Sequence, residues 1–200
     1  MLNIVFTGVG GQGVITAGII LAEAAVLEEG RHATQSQSYG AEARGGLTRT
    51  DVIISDREVL YPKIAQAHVL GALHQRGYTA HANIIRPGGM FIYDEETVKA
   101  SAKTDARRIP IPLLIHGKGA NMALLGAVCA LTSAVKCQSI QEVIQRRYGA
   151  ESSNLNAFQD GWDAVVNRGY TPHPAAYSGH EGDGVPPTPS INPSISGTAL

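Results

Sequence analysis

The segment that most constrains this chain is LNIVFTG-VGGQG-VITAGIILAEAA at its start, in which an apolar run, a glycine cluster and a second apolar run follow one another without a break. Leu2 to Gly8 is short, partly β-branched and apolar on both alternations, the pattern of a strand buried on both faces of an α/β sheet. From Gly13 to Glu29 the chain is rich in alanine, leucine and isoleucine, apolar on nearly every side, and stops at Gly30, which predicts a buried helix with a glycine C-cap. Gly8, Gly10 and Gly13 satisfy G-x-G-x-x-G at the junction, where backbone amides and the positive helix end meet an anion in dinucleotide-binding folds. Four glycines in the six residues GVGGQG exceed what a tight strand-to-helix turn needs. Such a loop either makes that turn or presents bare amides to an anion or another chain.

Further along, His32 to Ser36 can form a second strand, and QSQSYGAEARGG, Gln35 to Gly46, reads as a polar, glycine-rich loop after it. Ordering such a loop costs entropy that no apolar burial repays. Strands are predicted at Thr48 to Asp56, Ala67 to Leu73 and Arg86 to Asp94, with a crossover helix over Gln75 to Ile85. The prolines of IPIPLLI hold Ile109 to Ile115 extended, as an edge or terminal strand. Asn121 is the expected cap of MALLGAVCALTSAV, whose Gly126 implies close contact with another helix. Ser139 is the expected cap of QEVIQRRYG, and a last amphipathic helix spans Leu155 to Asn167. Alternating strands and helices predict a three-layer α/β/α fold with a mainly parallel, Rossmann-like sheet. One domain accounts for residues 1–170. Six of the ten prolines lie from Thr171 onward, so 171–200 reads as an extended or disordered tail.

Composition excludes several classes of partner. Sixteen basic against 17 acidic residues give a net charge of −1 and no footprint for nucleic acid or an anionic membrane. The first residues lack the basic flank and cleavage site of a leader, so a cytoplasmic location is expected. Cys129 and Cys137 are eight apart, outside any CxxC, and the seven histidines are scattered singly, so the chain is expected to hold no metal and no iron–sulfur cluster by itself. His116 in IHGKGAN reads as a loop histidine near Lys118. No G-x-S-x-G elbow is present, Ser36 and Ser38 have no base nearby in sequence, and no catalytic residue is assigned.

A dinucleotide site needs an acid about 20 residues beyond the glycines, at the end of the second strand, to hold the ribose. The sequence there is HATQSQSY, with no acid, and Glu28 and Glu29 fall too early. A free-standing nucleotide-binding enzyme is therefore the weaker reading of the glycine loop.

GVGGQGVITAGIILAEAA, QSQSYGAEARGGLTRTDVIIS, RPGGMFIYD and GANMALLGA, in that order from about Leu2 to Asn167, resemble the gamma subunit of the 2-oxoacid:ferredoxin oxidoreductases. The form GAEARGG is more similar to the 2-oxoglutarate type than to the pyruvate or indolepyruvate types. The resemblance implies a pyruvate/ketoisovalerate oxidoreductase gamma-type domain working with alpha and beta subunits. The assembled enzyme converts a 2-oxoacid to acyl-coenzyme A and carbon dioxide while reducing ferredoxin, or runs in reverse. It implies thiamine diphosphate, Mg, iron–sulfur clusters and coenzyme A in the complex, held mostly by the other chains, with ferredoxin met through the complex.

For this chain, the resemblance implies that the glycine loop (Gly8, Gly10, Gly11, Gln12, Gly13, Val14) and the second loop (Tyr39, Glu42, Arg44, Gly45) form one surface facing coenzyme A or a partner subunit. Amides from Gly10 to Val14 would meet phosphate or partner carbonyls. Arg44 would offer a planar, permanently charged fork, oriented by Glu42. Without that resemblance, Glu42 and Arg44 read as a local ion pair worth less than about 1 kcal/mol. A purely structural scaffold subunit shares all these features.

Overall fold

The computed structural model describes residues 1–40, 45–101 and 105–172. Six strands form one sheet: β1 (Leu2–Val9), β2 (His32–Tyr39), β3 (Leu47–Ser55), β4 (Ala67–Ala72), β5 (Ile85–Asp94) and β6 (Arg107–Ile111), in the order β2-β3-β1-β4-β5-β6. The pairs β1·β4, β4·β5 and β5·β6 are parallel, whereas β2·β3 and β1·β3 are antiparallel. The sheet is thus mixed. Its antiparallel part arises because β2 and β3 follow one another as a hairpin with no helix between them, and β3 then also runs against β1.

The helices are α1 (Val14–Glu23), continued by a π-helical turn (Ala24–Glu28), α2 (Gln75–His81), α3 (Ala120–Thr132), α4 (Cys137–Tyr148) and α5 (Ser153–Asn167). Side chains alternate cleanly across the sheet. Leu2, Ile4 and Phe6 of β1, with Val52, Ile54, Val69, Met90 and Ile109, face a large core built with α1, α3, α4 and α5. Val5, Ile53, Leu70 and Phe91 face a smaller core completed by Tyr78 of α2 and by Ile64 and Val98. Helices therefore cover both faces, in three layers.

All thirteen residues of α3 are buried. The stretch Leu114–Thr132 is long and apolar enough to cross a membrane by composition, and here that apolarity is met by the sheet and by α5. A Cβ on Gly126 would stand 1.9 Å from the carbonyl oxygen of Phe158, and one on Gly161 would stand 1.9 Å from that of Ala123. The close helix contact expected at Gly126 is present, and a second glycine on α5 makes it reciprocal.

Five local expectations change. Residues Gln35 to Tyr39 are not loop but the outer half of β2, an edge strand whose alternate residues need no apolar partner. Asn121 does not cap α3: the N-cap is Gly119, and the Asn121 amide instead donates to the carbonyl of Gly13 at 3.0 Å. Ser139 lies inside α4, which starts two residues earlier, because Glu29 supplies the acceptor: its Oε1 takes the Lys136 amide at 2.6 Å and the Ser139 hydroxyl at 3.0 Å. Extended chain ends at Ile111. Beyond it, both Leu113 and Leu114 amides donate to Asp94 Oδ1, at 2.9 and 2.8 Å, and the backbone turns into a 3-10 segment at Leu114–Gly119. The last helix starts at Ser153, capped by the Ser152 hydroxyl, which accepts from Asn154 N. The expected tail lies, from residue 173 onward, outside the described residues.

Candidate functional site

The site sits at the carboxyl ends of β1 and β4, the end where open α/β sheets bind ligands. β1 ends at Val9 opposite Leu47, the first residue of β3, so the two glycine segments leave the sheet side by side. Gly10 N donates to Gly46 O at 2.9 Å, and Gly40 N donates to Leu47 O at 2.6 Å, closing the stem of the hairpin turn. A cleft of about 610 Å³ opens between them, bordered by Gly10, Gly13, Val14, Tyr39, Gly45 and Thr48. Tyr39, 67% exposed, stands at its rim. Glu42 and Arg44 lie outside the described residues.

The glycine loop owes its shape to contacts far away in sequence. Gln12 spends its side-chain amide on backbone: its Oε1 accepts from Val9 N at 2.8 Å, while Nε2 donates to Leu73 O at the end of β4, at 3.0 Å. That inward-turned carboxamide occupies the space above Gly8, where a Cβ would fall 2.5 Å from Gln12 Oε1. Gly13, the N-cap of α1, takes a left-handed conformation (φ 69, ψ 18) with Asn121 pressed against it. The first amides of α1 have no acceptor within their own helix, and Val14 and Ile15, its first residues, border the cleft, a place suited to a negative or carbonyl oxygen. Of the expected residues, then, Gly10, Gly11, Gly13, Val14, Tyr39 and Gly45 border the cleft, whereas Gly8 and Gln12 shape it from behind.

Beside the cleft runs a partly buried polar chain. The Thr7 hydroxyl donates to Thr48 O at 3.2 Å and stands 3.1 Å from His81 Nδ1, which is also 3.1 Å from Gly77 O. With the Thr7 proton committed to Thr48, Nδ1 carries the hydrogen and Thr7 accepts it. Burial, the largest cause, holds the His81 pKa below the usual histidine range, with Arg49 adding to it against the opposing pull of Gly77 O and Asp51.

Sequence reasoning missed one support of this site. The junction LHQRG between β4 and α2, Leu73 to Gly77, touches both loops: Leu73 O receives Gln12, and Arg76 Nη1 donates to Gly45 O at 3.2 Å. Its position after a central parallel strand was the signal available. His116, expected beside Lys118, has its Nδ1 3.6 Å from Asp160 Oδ2. Among the described residues no group of three or more histidine, cysteine or acidic side chains is placed to hold a metal ion. Cys129 is fully buried, which pushes its thiol far above the usual range.

The geometry also bears on the dinucleotide reading. In that fold a parallel second strand delivers its acid beside the glycine loop. Here the neighbour on that side is antiparallel β3, which brings its first residues, Leu47 and Thr48, to the place instead.

The family model for pyruvate ferredoxin/flavodoxin oxidoreductase matches residues 3–164. The 2-oxoglutarate synthase subunit KorC of Methanocaldococcus jannaschii is 34% identical over 175 residues, 80% of this chain and 91% of that one. Among solved structures, the keto/oxoacid ferredoxin oxidoreductase gamma subunit of Geobacter sulfurreducens superimposes with a TM-score of 0.74 at 33% identity, over 84% of this chain and 99% of that one. The 2-oxoglutarate:ferredoxin oxidoreductase of Magnetococcus marinus, determined with 2-oxoglutarate, coenzyme A and succinyl-CoA, shares the fold at a TM-score of 0.75 and 24% identity, over 83% of this chain and 31% of that one. The chain belongs to the pyruvate ferredoxin/flavodoxin oxidoreductase family, as a gamma subunit of a 2-oxoacid:ferredoxin oxidoreductase.

Proposed function

We propose that this subunit serves an enzyme acting on 2-oxoglutarate, and that its cleft is where it meets an alpha subunit and the phosphate-bearing end of coenzyme A. One observation carries the reading: the Gly10 to Gly46 hydrogen bond joins two glycine-rich segments around an open cleft, the amides of Gly10 and Gln12 being spent on the fold and those of Gly11, Gly13 and Val14 left as the expected ligand donors. Such a surface suits phosphate or carbonyl oxygens, because amides already ordered by the fold are desolvated at little cost. Arg44, five residues past the end of β2 in the sequence GAEARGG, supplies a permanent cation to pair with phosphate. The relatives named 2-oxoglutarate synthase support the choice of 2-oxoacid.

In this reading beta and alpha chains carry thiamine diphosphate, Mg and the iron–sulfur clusters, which when bound supply decarboxylation and electron transfer to ferredoxin, in the cytoplasm. The gamma chain orients: its amides fix an anionic group, Tyr39 covers the rim, and the hairpin stem keeps both segments in register. The test is an Arg44→Ala complex, co-expressed with its partner chains and assayed for subunit stoichiometry and for the KM of coenzyme A. A raised KM supports the reading, and weakened assembly with an unaltered KM reassigns the surface to scaffolding. Wild-type stoichiometry together with a wild-type KM removes it.

A further inference from the structure

The two glycine segments do not hold their spacing alone. Gly45 has φ 65, a left-handed conformation that glycine adopts without steric cost, and its carbonyl is engaged. That carbonyl accepts from Arg76 Nη1 at 3.2 Å, from the face of the sheet opposite α1. Arg76 is itself placed with care. The His74 ring accepts the Arg76 backbone amide at 3.0 Å, and the neighbouring Gly77 lets α2 lie so close to β1 that a Cβ there would stand 2.8 Å from Thr7 Oγ1 and 3.0 Å from Gly8 N. Two residues before His74 comes β4's end, and the intervening Leu73 O receives Gln12 of the glycine loop. One five-residue junction, Leu73 to Gly77, thus grips the glycine loop through a carbonyl and the hairpin turn through a guanidinium.

We propose that Arg76 is a positioning residue for this surface: by holding Gly45 O it fixes Gly45 and Gly46 beside the glycine loop, in the spacing that the bound anion needs. The inference rests on the function proposed above and names the side chain that sets the geometry of that same site. Arg76 acts through the turn rather than by touching the ligand. Its fork reaches a backbone carbonyl, to which a lysine at the same position can still donate one hydrogen bond, whereas glutamine is too short to keep the same reach.

The experiment uses the full chain in its co-expressed complex, with Arg76→Ala, Arg76→Gln and Arg76→Lys variants. Two quantities are read: amide hydrogen exchange at residues 45–47, and the KM and kcat for coenzyme A. Loss of one partly exposed charged hydrogen bond predicts exchange faster by roughly threefold to tenfold in the Ala and Gln variants, a similar rise in KM at near-constant kcat, and recovery of most of both by Lys. Exchange within about twofold of wild type in Arg76→Ala overturns the proposal. So does faster exchange with an unaltered KM, provided Arg44→Ala raises that KM. If neither Arg76→Ala nor Arg44→Ala moves the KM, the functional reading falls and this inference with it.

Discussion

Gly126 of α3 and Phe158 of α5 lie so close that a single methyl group on the glycine would sit 1.9 Å from the phenylalanine's carbonyl oxygen. No side-chain rotation relieves a clash with backbone, so the helices would have to separate across the centre of the large core. Gly126→Ala is expected to destabilise the chain by about 3 kcal/mol or more, well above an ordinary overpacking penalty. Urea denaturation of the purified subunit measures it. A midpoint close to wild type would show that α5 can slide aside.

Asp94 ends β5 with a nearly fully buried carboxylate that accepts four hydrogen bonds, from the Leu113 and Leu114 amides on one oxygen and from the Thr97 amide and hydroxyl on the other. Asparagine keeps the shape but turns two donors toward donors on one side. Asp94→Asn should cost about 2–4 kcal/mol by leaving those groups unpaired. The same denaturation measurement checks it, and a loss under about 1 kcal/mol would mean that the turn relaxes to find water.

Gln12→Glu is nearly isosteric and tests how the glycine loop is held. At neutral pH a carboxylate oxygen would face Leu73 O, where Nε2 now donates at 3.0 Å. Protonation restores a donor. The variant should therefore show faster amide exchange through Gly10 to Gly13 near pH 7 and recover toward wild type as the carboxyl protonates in mildly acid solution. Equal exchange at both pH values would sink the argument.

His68 makes stability fall in acid. Its Nδ1 accepts from Asn3 N at 3.0 Å, so the neutral ring is the bonded form, and protonating that nitrogen breaks the bond. Burial first, then Arg86, then the amino terminus, lowers its pKa from 6.5 to about 4. The unfolded chain takes up the proton first as pH falls. The stabilisation is therefore complete above the unfolded value and drains away as pH drops from about 6.5 toward 4. Urea midpoints at about pH 7 and about pH 5 should differ more for wild type than for His68→Gln, whose carboxamide can accept the Asn3 bond in either condition. Parallel slopes would refute the assignment.

What could be read in the sequence was what neighbours in sequence decide. The strand, glycine loop and helix at the start follow from local pattern, as does the helix stop at Gly30, whose φ is 64. Gly126 announced its contact because glycine inside an otherwise alanine- and leucine-rich helix has few other reasons to be there. The misassigned residues are those whose partners come from elsewhere in the chain. Asn121 and Ser139 have capping chemistry, but Gly13 and Glu29, each more than a hundred positions away, claim their side chains. Gln35 to Tyr39 looked like loop because polarity alone does not distinguish a turn from an edge strand. At the cleft, Arg76 escaped notice because nothing near LHQRG in sequence reveals that Gly45 stands above it.

The bond from Gln12 to Leu73 spans 61 residues, so the hexapeptide GVGGQG does not carry its own conformation. Grafted onto a foreign strand–helix unit, it would bring the letters of a familiar fingerprint without the distant carbonyl that folds them. Recognising such loops by spelling alone will therefore confuse nucleotide clamps with subunits like this one.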